Sequence, residues 1–293
     1  MSLGVRACCL AACLGATGCG ARVQPGAPPQ SAAAAKPAQK PNAPPKRDKS
    51  EAARAYERAC ELGSPRGCND LGVLYADGDG VAQDPVRGAK LFQKACEQGL
   101  PMGCNNFAFA QETGAGVPVD VAAAARLYER ACSAGAAVSC NALGNLHYAG
   151  HEVSKDVAKA RSLFERACEG RYTMGCVNLA ALLDEDGATS VELSRAAELY
   201  RSGCDAEIAL GCTGIGSMHL RGVSVAKNAQ VGLAFYATAC RLDASAGCYQ
   251  YGMALMHGEG VTPDPRAARP VFEKACNRGH PEACAELGDL LGR

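Results

Sequence analysis

The side chains of this sequence best suited to do chemistry are its cysteines, and they come in pairs. Cys60 and Cys68 stand eight positions apart. The same pair returns every 36 residues: Cys96 with Cys104, Cys132 with Cys140, Cys168 with Cys176, Cys204 with Cys212, Cys240 with Cys248 and Cys276 with Cys284. Three chemistries compete for such a pattern. Seven intervening residues match none of the common zinc spacings, and no histidine recurs beside the pairs, which argues against metal. Free thiols in a reducing cytosol would serve as small buried hydrophobes. Strictly spaced pairs within a total of 18 cysteines read instead as a disulfide framework made in an oxidising compartment. Each cysteine is expected to bond its partner eight residues on, and bridges between units, at separations of 28 or 36, are the alternative.

The other reactive side chains lack partners in the sequence. Ser224-Val225-Ala226-Lys227 has the Ser-x-x-Lys form of serine β-lactamases, but the Ser-Asp-Asn and Lys-Thr-Gly partner motifs are absent. Ser224 also falls in register with the glycines Gly80, Gly116 and Gly260, so it reads as a loop residue. Five histidines are too few for a metal hydrolase built on clustered imidazoles, and His147 and His219, which share a repeat position, read as packing residues. Asp77-Gly78-Asp79-Gly80 hints at calcium but lacks the distal glutamate of a full loop, so turn chemistry accounts for it better. No catalytic residue, metal ligand or cofactor is assigned.

The elements that position the cysteines follow from the same register. After Cys60, Gly63 supplies a left-handed helix end, and Pro65 opens a first helix carrying Cys68, Leu71, Gly72 and Leu74. Gly78 and Gly80 turn the chain, with Val81 as an apolar plug. Asp84 and Pro85 then start a second helix with Leu91, Phe92 and Ala95 on its buried stripe. The cap position recurs as Asp120, Asp156, Glu192, Asn228 and Asp264, and the aromatic as Tyr56, Tyr128, Phe164, Tyr200, Tyr236 and Phe272. Small residues at fixed positions in both helices let the units interdigitate. A fixed period of this length means stacked helix pairs, an all-α solenoid, in place of one globular core. Each disulfide then joins the last turn of one helix to the first turn of the next, clamping a hairpin. The count is fourteen helices over residues 50–293: one leading helix, six full units and a final first-type helix around Glu282–Leu291.

This constellation resembles the Sel-one-like repeat, a relative of the tetratricopeptide repeat, in its cysteine-rich secreted form (the Helicobacter cysteine-rich protein type). The resemblance rests on the 36-residue unit, on Gly78-Asp79-Gly80-Val81, on Tyr-Glu-Arg-Ala-Cys at Tyr56–Cys60 and Tyr128–Cys132, on Lys-Ala-Cys at Cys96 and Cys276, and on Gly-Cys-Asn at Cys68. It implies a right-handed α/α superhelix. That branch is described as penicillin-binding or β-lactamase-like, so the resemblance implies weak β-lactam hydrolysis as the alternative to a binding scaffold. Glu152, Ala188 and Ser224 replace the second turn glycine, and those turns are expected to differ in shape.

A two-helix solenoid lines its concave face with first helices. Two residues past the second cysteine, that face offers Asp70, Asn106, Asn178 and Gln250, side chains suited to an extended peptide or cell-wall backbone. The alternative is that they cap the helix start and stay solvated. Lys plus Arg equals Asp plus Glu, at 30 each, so nothing marks a nucleic-acid partner, and the chain is expected to be a monomer. The amino terminus reads as a signal peptide, with Arg6 before the apolar run Ala7–Ala16. Ala16-Thr17-Gly18-Cys19 resembles a bacterial lipoprotein processing site, and Leu10-Ala11-Ala12-Cys13 is the competing one. Residues 20–49, rich in Pro and Ala, read as a tether. The expectation is an exported envelope protein held to a membrane by lipid, if at all.

Overall fold

The computed structural model describes residues 49–150, 152–185 and 187–292. The expected signal segment, Cys13, Cys19 and the expected tether up to residue 48 lie outside the described residues. One compact unit covers Arg47–Arg293. Its described residues hold fourteen helices and no strand. The first-type helices are α2 (Pro65–Asp77), α4 (Pro101–Thr113), α6 (Ala137–Ala149), α8 (Thr173–Leu183), α10 (Ala209–Arg221), α12 (Ser245–His257) and α14 (Pro281–Leu291). The second-type helices are α1 (Lys49–Glu61), α3 (Pro85–Glu97), α5 (Val121–Ser133), α7 (Val157–Glu169), α9 (Ser190–Asp205), α11 (Ala229–Arg241) and α13 (Pro265–Asn277). Every helix packs on its sequence neighbours. First-type helices also touch the next first-type helix, as α2 with α4, α6 with α8, and α10 with both α8 and α12, so they form the inner side of the curve. The result is an all-α superhelical repeat fold. No described helix is long and apolar enough to cross a membrane.

Every disulfide joins residues eight apart. Cys60 bonds Cys68, Cys96 bonds Cys104, Cys132 bonds Cys140 and Cys168 bonds Cys176. Cys204 bonds Cys212, Cys240 bonds Cys248 and Cys276 bonds Cys284. The paired Cα atoms lie 4.3–4.7 Å apart, and the separations of 28 and 36 do not occur among the described residues. The hairpin each one closes is set by backbone geometry. In the first, Gly63 takes φ +87° and the Ser64 N–H donates to Ala59 O, which turns the chain within three residues. Arg171, Glu207 and Asp243 occupy that left-handed position in later units, at φ 62°, 59° and 66°.

The second-type helices start where the side-chain caps dictate. Asp84, Asp120, Asp156, Asn228 and Asp264 each accept the N–H three residues on, at 2.8–3.1 Å. The fourth unit departs from the expected register. Thr189, not Glu192, is the N-cap of α9, and Glu192 sits at its third position and accepts from the Thr189 N–H in a capping box. The capping box competes better for those first N–H groups than a lone glutamate would, so α9 starts three residues earlier than its register predicts. The turn ahead of it also changes, because α8 ends at Asp184 without a left-handed glycine cap. Elsewhere the missing glycine does not alter the turn: Glu152 and Ser224 both hold φ 55°. In those same two turns a histidine contributes, with His147 Nδ1 3.1 Å from Ser154 O and His219 Nδ1 3.2 Å from Ala226 O. His219 is buried and stacks on Phe235, but His147 is half-exposed and acts on the turn more than on the core.

The large-small register is borne out in the packing. A Cβ on Gly72 would stand 2.7 Å from Phe92, on Gly144 2.6 Å from Phe164, and on Gly252 2.6 Å from Phe272. In these three units the ring of the second helix leaves room for only a hydrogen, whereas Ala108 and Ala180 stand at the same position in the units of Tyr128 and Tyr200.

Candidate peptide-binding groove

The inner faces of α2, α4, α6 and α8 carry a row of side-chain amides that bond across unit boundaries. Asn69 Nδ2 donates to Asp70 Oδ1 (3.2 Å), and Asn106 Nδ2 donates to Asn69 Oδ1 (2.9 Å). Asn105 Nδ2 donates to Asn106 Oδ1 (3.2 Å), and the Ser139 hydroxyl donates to Asn105 Oδ1 (2.9 Å). One unit further, Asn178 Nδ2 donates to Asn141 Oδ1 (2.8 Å) and to Asn145 Oδ1 (3.2 Å). Asn69, Ser139 and Asn141 are buried, so these bonds also satisfy polar groups that would otherwise be costly to bury. Asp70, Asn106 and Asn178 are half-buried and open to the groove on one side. An amide carries two donors and two acceptor lone pairs, so a ladder bonded this way keeps acceptor capacity for a ligand N–H.

Two apolar recesses flank the ladder at equivalent positions two units apart. A cavity of about 190 Å³ is lined by Val73, Ala76, Asp77, Phe92, Asn106 and Phe109. A second, of about 270 Å³, is lined by Asn145, Tyr148, Phe164, Asn178, Ala181, Leu182 and Leu210. Phe92 and Phe164 form corresponding walls, and Asn106 and Asn178 corresponding polar edges. Phe109, Tyr148 and Leu210 are exposed. Carboxylates sit at the rim: Asp77 in the first recess, and Glu185, which accepts from the Tyr148 hydroxyl at 3.4 Å, beside the second. Deeper in, the Tyr128 hydroxyl donates to Glu112 Oε2 at 2.7 Å, and burial followed by that carboxylate raises the phenol pKa far above its usual value. Asp184 binds Arg221 through both carboxylate oxygens at 2.6 Å, a pairing that holds the guanidinium pKa up. A larger recess of about 560 Å³ lies among loop residues between Gly258–Pro263 and the start of α11, not among the amides.

Of the four groove residues expected from sequence, the structure brings three into the ladder. Gln250 is exposed on α12, outside it. None of the four caps a helix start: the cap of α2 is Ser64, and α4, α8 and α12 have no side-chain cap bond. The residues that sequence reasoning missed are Asn69, Asn105 and Asn141, one position after the second cysteine, together with Ser139 and Asn145. The Cys-Asn dipeptides at 68–69, 104–105 and 140–141 were the available signal. The ladder stops at α10, where Gly214 lies so close to Tyr200 that a Cβ would stand 2.4 Å from the ring.

Ser224 stands exposed in the loop before α11, with Lys227 also exposed one residue before the Asn228 cap, so the Ser-x-x-Lys run is not on a helix. Among the described residues no cluster of three or more His, Cys, Asp or Glu side chains is placed to hold a metal ion.

Helix pairs at a 36-residue period, clamped by disulfides and curved with first helices inward, define a superhelical repeat scaffold. The profile of the Sel1 repeat matches residues 43–64, 65–100, 101–135, 137–172, 205–243 and 245–280, and the chain belongs to that family. The profile passes over 173–204, the unit whose turn and cap depart from the register. Among solved structures, the chain is similar to c5321, a protective antigen of uropathogenic Escherichia coli strains with an SLR fold (22% identity, TM-score 0.79). The match covers 84% of this chain and 53% of that one, so the present chain spans about half its length. It is also similar to a Sel1 repeat protein from Oxalobacter formigenes (19% identity, TM-score 0.68, 78% and 97% covered). A third match is Helicobacter pylori cysteine rich protein B (28% identity, TM-score 0.36, 46% and 98% covered). No curated protein sequence matches the chain.

Proposed function

We propose that the protein is a binding module of the bacterial cell envelope that holds an extended peptide, or the peptide part of a cell-wall fragment, along α2, α4, α6 and α8. The observation that supports this is the amide ladder with an equivalent apolar recess on either side of its centre. Amides suit main-chain groups, which every peptide offers, and recesses select side chains. Helices pack roughly 10 Å apart, so recesses two units apart lie on the order of 20 Å from each other. An extended chain covers that span in about six residues. The preferred ligand therefore has apolar side chains about six positions apart, with basic neighbours that meet Asp77 and Glu185. Seven disulfides belong to a fold made in an oxidising compartment, and we place the chain on the exported side, tethered by a lipid on Cys19.

Panning a displayed 12-residue peptide library against the oxidised chain tests the groove. Selected peptides should lose at least tenfold in affinity when Asn106→Ala and Asn178→Ala are combined. Peptides that bind this double variant as well as the parent would remove the groove reading. Anchoring is tested by detergent partitioning, where Cys19→Ala should release the protein and Cys13→Ala should not.

A further inference from the structure

Each unit of the array seats one aromatic ring of its second helix on a small residue of its first helix, as Phe92 on Gly72 and Phe272 on Gly252. The two ends of the described array hold one half each of this contact. At α14 the small residue is Gly288, and a Cβ built there meets nothing within 4 Å. Cys284 and Gly288 are exposed, and Leu291 is 57% exposed, whereas Cys68, Gly72, Cys248, Gly252 and Leu255 at the equivalent positions are buried. At α1 the aromatic is Tyr56, half-buried, whereas all six equivalent rings from Phe92 to Phe272 are buried. Ala52 is likewise half-buried where Ala124, Ala160, Ala196 and Ala268 are fully buried.

We infer that α1 of one copy docks on α14 of another, Tyr56 over Gly288, so that two half-units complete a repeat and copies join head to tail. The occupant is a second copy because α1 carries the second-helix pattern in full register. Arg58 shows this independently: it sits at the position of Lys94, Arg166 and Lys274, whose cationic heads reach the carbonyl of the first cysteine one unit back, at 3.3, 3.1 and 2.7 Å. In the docked pair Arg58 meets the Cys276 carbonyl at the end of α13. One rim contact opposes docking. Glu51 stands where Arg87 pairs with Glu57 at 2.8 Å, and it faces Glu273. The interface is heterologous, so it extends into chains and does not close as a two-fold dimer. It replaces the monomer expected from sequence.

Sedimentation velocity on the full oxidised chain with Cys13→Ala and Cys19→Ala, which keeps acylation from driving association, reads the outcome. Average mass should rise with concentration and pass that of a dimer without a plateau. Gly288→Phe fills the site of the ring from a position where a Cβ meets nothing within 4 Å, and Tyr56→Glu removes the ring. Each should be monomeric alone, and an equimolar mixture should form dimers and nothing larger, because one free head meets one free tail. Glu273→Arg should strengthen association at least threefold and add salt sensitivity. A parent chain that stays monomeric up to its solubility limit would overturn the inference. So would association that survives Gly288→Phe, or dimers formed by Tyr56→Glu alone, which would mean a two-fold α14 contact.

Discussion

Removing the clamp between α5 and α6 by changing both Cys132 and Cys140 to alanine tests how much stability the disulfides carry. Closing a loop of about eight residues removes roughly 8 cal/mol/K of chain entropy from the unfolded state, or about 2.5 kcal/mol at 25 °C. Both cysteines are buried, and they pack with Leu143, Leu146 and Ala167, so losing two sulfurs adds a packing cost of about 1 kcal/mol. The expected loss is therefore about 3–4 kcal/mol. The same change at Cys276 and Cys284 should cost less, about 2–2.5 kcal/mol, because Cys284 is exposed and little collapses around it. Seven clamps together exceed the roughly 5–15 kcal/mol of an ordinary domain, so full reduction should unfold most of the array. Guanidinium denaturation followed by far-ultraviolet circular dichroism measures each variant, with the slope compared to confirm that the unfolded state is equally open. A central variant whose midpoint matches the parent at equal slope, or a reduced chain that keeps its full helix signal, would refute the clamp argument.

Three further outcomes follow from particular contacts. Gly144→Val should destabilise by about 1–3 kcal/mol, because its Cβ would stand 2.6 Å from Phe164, while Gly288→Ala should be neutral or stabilising; thermal melts of the two variants check the contrast. Glu207→Gly should raise stability by about 0.5–1 kcal/mol in denaturant titration, since a glutamate now holds φ 59° at a hairpin where Gly63 and Gly99 need no such strain. The Glu192 carboxyl is held down to about 2 from 4.5, first by the Thr189 N–H and then by Arg161. Its folded-state pKa lies below the unfolded one, so its contribution is present above about pH 4.5 and is lost as pH falls towards about 2. Glu192→Gln should flatten that part of the stability-pH curve, and an unchanged slope there would count against the capping box.

Most of the fold could be read directly because one interaction set repeats seven times. A cysteine spacing that holds throughout, with a turn glycine and a cap residue that agree in five units, leaves little freedom for the helices between them. The fourth unit shows where that reasoning fails. Glu192 stands in the cap register, and only the reciprocal capping box, in which Thr189 Oγ1 accepts the Glu192 N–H while the Glu192 carboxylate accepts the Thr189 N–H, moves the helix start. The groove was legible in part. Asp70, Asn106 and Asn178 could be placed on the inner face by position, but their bonding depends on the rise between neighbouring units, which no single unit encodes. The turn role of His147 and His219 was hidden for a similar reason. Their partners are carbonyls seven residues on, in a loop whose conformation the residue types at 152 and 224 do not suggest.

The third to fifth units also show how a one-dimensional array keeps its joints when a repeated contact lapses. A basic side chain on a second helix reaches back to the preceding cysteine carbonyl at Lys94, Arg130, Arg166 and Lys274. The equivalent residues Ser202 and Thr238 cannot make that reach, and Thr238 bonds Ala234 in its own helix. In a solenoid each unit touches only its neighbours, so a weak joint there is not rescued from elsewhere. At that same stretch the most extensive buried cluster forms, with Val177, Leu179, Leu183, Ile215 and Met218 filling the space between α8 and α10. Arg221 adds a contact from Nη2 to both Asp184 carboxylate oxygens across the same boundary. Apolar burial and one paired charge thus replace the carbonyl contact. Arg221→Ala should therefore open the α8–α10 boundary selectively, seen as faster amide exchange in α8 to α11 with α2 to α5 unchanged. Uniformly faster exchange along the whole array would show that the joints act as one cooperative block and do not compensate locally.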